Sequence, residues 1–168
     1  MLSLDLVHRR VRAATFALAG ALTYALVASP RPVCAAPLSA AARVPIDAAF
    51  AALAKGDGAA FARAFAPRAT ILDEISPFVF AGDDAAGVWF ARLARVNADN
   101  AITGERAIPA APRAGSVEGD AAYAVVPVRI AYRQRGRTIV ENGAWTFGLR
   151  NARGAWKIVS AAFSPATS

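Results

Sequence analysis

Histidine, cysteine and methionine each occur once in this 168-residue chain, as His8, Cys34 and Met1, and all three stand in its N-terminal stretch. If that stretch is a leader that is removed, the remainder has no disulfide, no thiolate metal ligand and no imidazole. Nucleophilic cysteine and histidine acid-base chemistry are then excluded, as are histidine-rich metal centres. No acidic loop of the calcium-binding kind is present, so neither a metal nor a cofactor is expected. Long hydrophobic runs are also lacking. The longest, Ala13 to Ala28, is 16 residues, short of the roughly 20 that a spanning helix needs. What remains for chemistry is carboxylates, arginines and aromatics.

The leader itself has a recognisable pattern. Arg9, Arg10 and Arg12 precede the apolar run, Ser29-Pro30-Arg31-Pro32 interrupts it, and Val33-Cys34-Ala35 offers tolerated residues three and one before a cut. A secretory signal over 1-35, cleaved after Ala35, is expected. Cleavage after Ala36 is disfavoured by Pro37. A lipoprotein anchor would need small residues where Arg31-Pro32-Val33 stands, Arg9-Arg10 leaves a twin-arginine route open, and an uncleaved anchor is the plainer alternative. The expected location is periplasmic or secreted, with no stable membrane anchor after cleavage. The net charge of +7 falls to +4 without the leader, with 15 basic and 11 acidic residues left. About 130 residues then remain, enough for one core and too few for two ordinary domains.

A flexible tail is expected over 36-44 and a single domain over 45-165. Ile46, Phe50 and Leu53 recur at helical spacing, with Gly56-Asp57-Gly58 as the stop. Ala59 to Ala66 reads as a second short helix ended by Pro67. Ala69 to Ile75 is β-like, Ser76-Pro77 breaks it, and Phe78-Val79-Phe80 resumes. Asp83 is the expected N-cap of a third helix whose inward face carries Val88, Trp89, Leu93 and Val96. Strands are expected over Ala101 to Ile108, Ala121 to Gln134, Arg137 to Arg150 and Trp156 to Phe163. Arg135-Gly136-Arg137 and Asn151-Ala152-Arg153-Gly154 are turns between antiparallel neighbours.

Three segments carry a family resemblance: the helix end Ala51-Ala52-Leu53-Ala54-Lys55-Gly56-Asp57, the entry Gly82-Asp83-Asp84-Ala85 leading to Val88-Trp89-Phe90, and the pair Trp145-Thr146-Phe147-Gly148-Leu149 with Trp156-Lys157-Ile158. With them, the chain over about 44 to 164 resembles nuclear transport factor 2-like, or SnoaL-like, domains. It is similar in particular to exported bacterial members with Asp73-Glu74-Ile75-Ser76-Pro77 and Gly119-Asp120-Ala121-Ala122-Tyr123 motifs. The resemblance implies an α+β cone, N-terminal helices packed on a curved, mainly antiparallel sheet around one pocket, and commonly a homodimer. It implies no particular reaction, because this fold carries many.

Alternation nominates pocket residues. Glu141 shares a strand face with Trp145 and Phe147 unless a bulge near Gly143 shifts the register. A carboxylate there suits proton transfer, whereas the plainer reading pairs it with Arg129 or Arg133. Asp73 shares its face with Ile71 and Ile75 and Glu74 points away; the plainer role for Asp73 is to anchor the Ser76-Pro77 turn. Tyr123 and Tyr132 lie on opposite faces of one strand, and Tyr123 is the donor candidate. Phe78, Trp89 and Trp145 complete the set as pocket wall, although tryptophan is most simply core. Steroid-isomerase-like members of the fold use an aspartate base with acidic donors, a set that Asp73 or Glu141 with Tyr123 imitates. The expected function is a small-ligand-binding or assembly module with an apolar cone pocket that takes a small apolar or aromatic ligand. The alternative is a lyase or isomerase with Asp73 or Glu141 as general base on a hydrophobic carbonyl compound. Arg129, Arg133, Arg135 and Arg137 gather at one hairpin; a solvated face is the simple account, an acidic partner or anionic envelope surface the functional one, and nucleic acid is not expected.

Overall fold

A computed structural model describes residues 38–166. The expected leader and its cut after Ala35 lie outside the described residues. Helix α1 spans Ala40–Lys55. It begins inside the stretch expected as a tail because the Ser39 hydroxyl accepts the Ala42 amide hydrogen at 3.2 Å and so caps the first turn. Gly56, at φ 67°, adopts the left-handed cap that ends the helix. Helix α2, Gly58–Ala64, is capped by Asp57, whose Oδ1 accepts from the Ala60 amide at 2.8 Å.

Strand β1, Phe65–Leu72, starts before Pro67, so the proline does not end a helix as expected. It falls instead where the pairing of β1 slips, with Arg68 beside it at φ 61°, a place where a missing amide donor costs little. β1 pairs antiparallel with β2, Val79–Ala81, and parallel with the last strand, β7, Ala155–Pro165. Helix α3, Ala85–Asp99, has Asp84 at its N-cap position, without a capping hydrogen bond. Asp83 therefore is not the cap; its carboxylate lies 4.0 Å from Arg68 instead. Trp89 is buried at 2 % exposure, but Val88, expected on the same inward face, is 56 % exposed.

Four more strands complete the chain: β3, Ile102–Pro109; β4, Ala114–Glu118; β5, Ala121–Gln134; and β6, Arg137–Ala152. The sheet order is β2-β1-β7-β6-β5-β3, with β4 sharing the β5 edge beside β3. Every pairing but β1 with β7 is antiparallel. β4 has no counterpart among the sequence expectations. Pro127 sits where the partner of β5 changes from β4 to β3; its carbonyl accepts the Ala110 amide hydrogen, and its absent N–H would have pointed into the same gap.

The helices cover one face of this curved, open sheet, and the core between them is largely aromatic. Trp89 stacks on Phe61 at 5.0 Å between centroids and meets Trp145 edge-on at 5.7 Å, and Phe147 continues the chain to Phe50. Among the described residues no polar side chain is fully buried. Packing therefore carries the stability of this domain.

Candidate functional site

Beyond the aromatic core the space between α1, α3 and the β3-β5-β6 part of the sheet stays open, as a cavity of about 640 Å³. Trp89, Phe90, Leu93, Ile130, Trp145 and Phe163 supply its apolar wall. Four carboxylates face it: Asp73, Glu74, Glu105 and Glu141. One basic residue, Lys55 at the end of α1, stands among its lining residues.

Asp73 is the first residue after β1, not a strand residue. Its Oδ1 accepts the Ile75 amide hydrogen and its Oδ2 accepts the Trp89 indole N–H, both at 3.1 Å. Its own amide donates to the Phe78 carbonyl at 3.0 Å, so the loop to Phe78 closes on itself. Asp73 thus anchors this turn and faces the cavity at once. Because the strand has ended, the alternation that sent Glu74 away from Asp73 does not apply, and Glu74 faces the cavity too. Burial holds the Asp73 carboxyl above its usual range despite these hydrogen bonds, which oppose the rise.

Glu141 keeps the face that alternation assigned, because β5 and β6 pair without a register break from Gln134–Arg137 to Ala121–Arg150. Its partner is neither Arg129 nor Arg133, which lie on the opposite face of β5. The Tyr132 hydroxyl donates to Glu141 Oε1 at 2.6 Å, and this bond, with burial and nearby carboxylate charge, pushes the phenol up to about 12. Glu105 was not singled out by sequence. Gly104, at φ 63°, and a slip in the β3-β5 register turn it inward, where it accepts from the Asn97 side chain. Burial raises its carboxyl, against the Asn97 bond and with the help of the Asp73 and Glu141 charges. Glu74 is raised as well, first by burial and then by the charges of Asp73 and Glu141.

Two expected pocket residues are elsewhere. Phe78, at φ 71° and 59 % exposed, turns outward from the closed loop. Tyr123 is 44 % exposed on the face of β5 opposite Tyr132, so Tyr132 is the tyrosine of the cavity. Asp73, Trp89, Glu141 and Trp145 are brought together. Glu74, Glu105, Asn97 and Tyr132 join them; of these Tyr132 carried a sequence signal in its opposition to Tyr123, Glu74 carried one in the Asp73–Pro77 motif but on the outward face, and Glu105 and Asn97 carried none.

These raised carboxyls have a thermodynamic sign. A carboxyl whose pKa is higher folded than unfolded binds protons more tightly in the native state, so its contribution is full below the unfolded value and is lost as pH rises through the folded one. For Glu74 and Glu105 that window opens above the ordinary 4.5, and for Asp73 above 3.8. Urea unfolding is expected to show stability falling as pH climbs through this window toward neutrality. Glu105→Gln should flatten part of that slope and raise stability at neutral pH; an unchanged slope would remove Glu105 from the account.

No protein-family profile matches the sequence, and no curated protein is similar enough to count as a relative. Solved structures do match in fold. A ketosteroid isomerase-like protein from Erwinia carotovora atroseptica superposes with a TM-score of 0.61 at 14% identity, over 77% of this chain and 96% of its own. A nuclear transport factor 2-like protein with a cystatin-like fold from Novosphingobium aromaticivorans gives 0.60 at 16% identity, over 73% and 78%. A candidate scytalone dehydratase from the same species gives 0.62 at 12% identity, over 76% and 83%. The chain therefore has the nuclear transport factor 2-like fold: three helices on a curved, mostly antiparallel sheet. At these identities the likeness concerns the fold, and the cavity's chemistry has to be read from this chain's own residues.

Proposed function

We propose that this domain binds a small organic molecule in the cavity, with an aromatic or apolar body against Trp89, Trp145 and Phe163 and a cationic or hydrogen-bond-donating end toward Asp73, Glu105 and Glu141. The observation that carries this reading is the imbalance of the lining, four carboxylates and one lysine on aromatic walls. Three polar donors of the cavity are also committed already: the Trp89 indole to Asp73, the Asn97 amide to Glu105 and the Tyr132 hydroxyl to Glu141. Ligand acceptors such as carbonyl oxygens compete with those bonds, whereas an ammonium group adds to them. The periplasmic or secreted location expected from residues 1-35 belongs to the same proposal.

A second reading, isomerase-type proton transfer on a carbonyl compound, draws on two features. Asp73 and Glu105 have raised carboxyls inside the cavity, as a base working near neutral pH requires, and a ketosteroid isomerase-like protein shares the fold. Calorimetric titration with phenethylamine and phenethyl alcohol, which share an aryl-ethyl body, separates the two. The amine is expected to bind about tenfold or more tightly, as a charged hydrogen bond implies. Equal binding would reject the cationic preference and leave an apolar site. If neither binds, while the protein exchanges the α-hydrogens of an aryl ketone with solvent and Asp73→Asn stops the exchange, the second reading replaces the first.

A further inference from the structure

The strands that present carboxylates to the cavity present arginines on their other side. Side chains alternate across a sheet, and directly paired residues share a face. Glu105, Tyr132 and Glu141 look into the cavity, so Arg106, Ala131 and Val140, which pair across β3, β5 and β6, look out. The next row is Ile108, Arg129 and Asn142, and Arg133 follows two residues beyond Ala131. Arg135 and Arg137 extend the patch into the adjoining exposed hairpin. No carboxylate belongs to these rows. Among the described residues the ion pairs of arginines are Arg43 with Asp47, Arg68 with Asp83 and Arg150 with Asp120; none involves an arginine of these rows, and Arg150 shares the face only at the far end of β6. Between the guanidinium groups stand two bare aliphatic side chains, Ile108 at 50 % exposure and Val140 at 43 %.

We propose that this outer face docks reversibly on an anionic phospholipid surface, its arginines on headgroup phosphates and Ile108 and Val140 against the acyl boundary. Charge complementarity selects the partner: five arginines without a carboxylate among them call for a polyanion, and guanidinium forks match phosphate oxygens in pairs. The interleaved aliphatics select a lipid surface among polyanions, because a phosphate layer above hydrocarbon satisfies both kinds of side chain. A second copy with its two-fold axis through these rows would set arginines against arginines, so a lipid surface suits the rows better. Single-stranded nucleic acid stacks its bases on aromatic side chains, and the exposed aromatic of this face, Tyr123, lies six residues before Arg129, roughly 20 Å along the strand.

Cosedimentation with vesicles of phosphatidylcholine, with and without phosphatidylglycerol, tests this. The full chain and its variants are run side by side so that any contribution of residues 1–37 cancels. Arg129→Ala with Arg133→Ala is expected to weaken binding to the phosphatidylglycerol vesicles by about twenty-five-fold, roughly fivefold per arginine as for a basic side chain at an anionic leaflet. Ile108→Ser with Val140→Ser should weaken it as well, and Arg43→Ala, on α1, should not. Unchanged binding in the arginine variant overturns the proposal. So does an arginine variant that loses retention on a polyglutamate resin while the aliphatic variant keeps full vesicle binding, a result that assigns the face to an acidic protein chain.

Discussion

Trp89→Ala is expected to cost about 3–5 kcal/mol of unfolding free energy, the range for truncating a buried large aromatic residue. Trp89 stacks on Phe61, meets Trp145 edge-on and is 2 % exposed, so its removal opens a void at the junction of α2, α3 and β6. The indole N–H also holds Asp73 Oδ2 at 3.1 Å, and without it that carboxylate loses one of the bonds that stabilise its charged form. Trp89→Phe separates the two effects. It keeps most of the ring and lacks the donor, and should cost about 1–3 kcal/mol. Urea unfolding of the two variants against the parent measures both. A cost within about 0.5 kcal/mol for the alanine variant, the level of an inert surface change, would place Trp89 outside the core.

Gly143→Ala is the second large expected effect, and its sign depends on which of two opposed terms wins. Replacing a strand glycine by alanine normally stabilises by about 0.4–1 kcal/mol, because the unfolded chain loses freedom. At position 143, however, a Cβ would lie 2.6 Å from Phe163 Cε2 and 2.8 Å from the Ser164 carbonyl oxygen. The ring is wedged against Trp145, 5.5 Å away between centroids, and the carbonyl belongs to a paired strand, so neither yields freely. Overpacking of this kind costs about 1–3 kcal/mol, and net destabilisation is expected. Because Phe163 is also cavity wall, the same variant should weaken phenethylamine binding in calorimetry. A variant as stable as the parent would show that β6 and β7 separate easily there.

How much of this was legible beforehand follows from which signals are local. β5 runs from Ala121 to Gln134 as expected, because Gly119-Asp120 and Arg135-Gly136 are strong turn signals and the strand between them alternates without interruption. Glu141 keeps its expected face for the same reason. Boundaries failed where a single local cue carried the reading. Ser39 was hidden in an alanine-rich stretch, Pro67 looked like a helix stop, and Asp83 looked like a better cap than Asp84. β4 was missed because its residues, Ala114-Gly115-Ser116-Val117-Glu118, have little strand propensity. They are held by pairing to β5.

The cavity's partners were harder to see, because they depend on distant pairing. Glu105 turns inward only after the backbone has flipped at Gly104. The hydroxyl of Tyr132 reaches Glu141 across two strands, and no spacing within either strand announces that. Asp73 lines the cavity, but not through strand alternation, because β1 ends at Leu72.

The parallel pairing of β1 with β7 also sets an order of events. Apart from the three residues of β2, β1 has no sheet neighbour other than β7, the final strand of the domain. A chain made from its N-terminus therefore leaves one edge of β1 unpaired until β7 arrives, and closing so long a loop is slow relative to local pairing. Completion of the sheet waits for β7. A polypeptide that postpones its own closure in this way stays threadable for longer, and β7 acts as the latch.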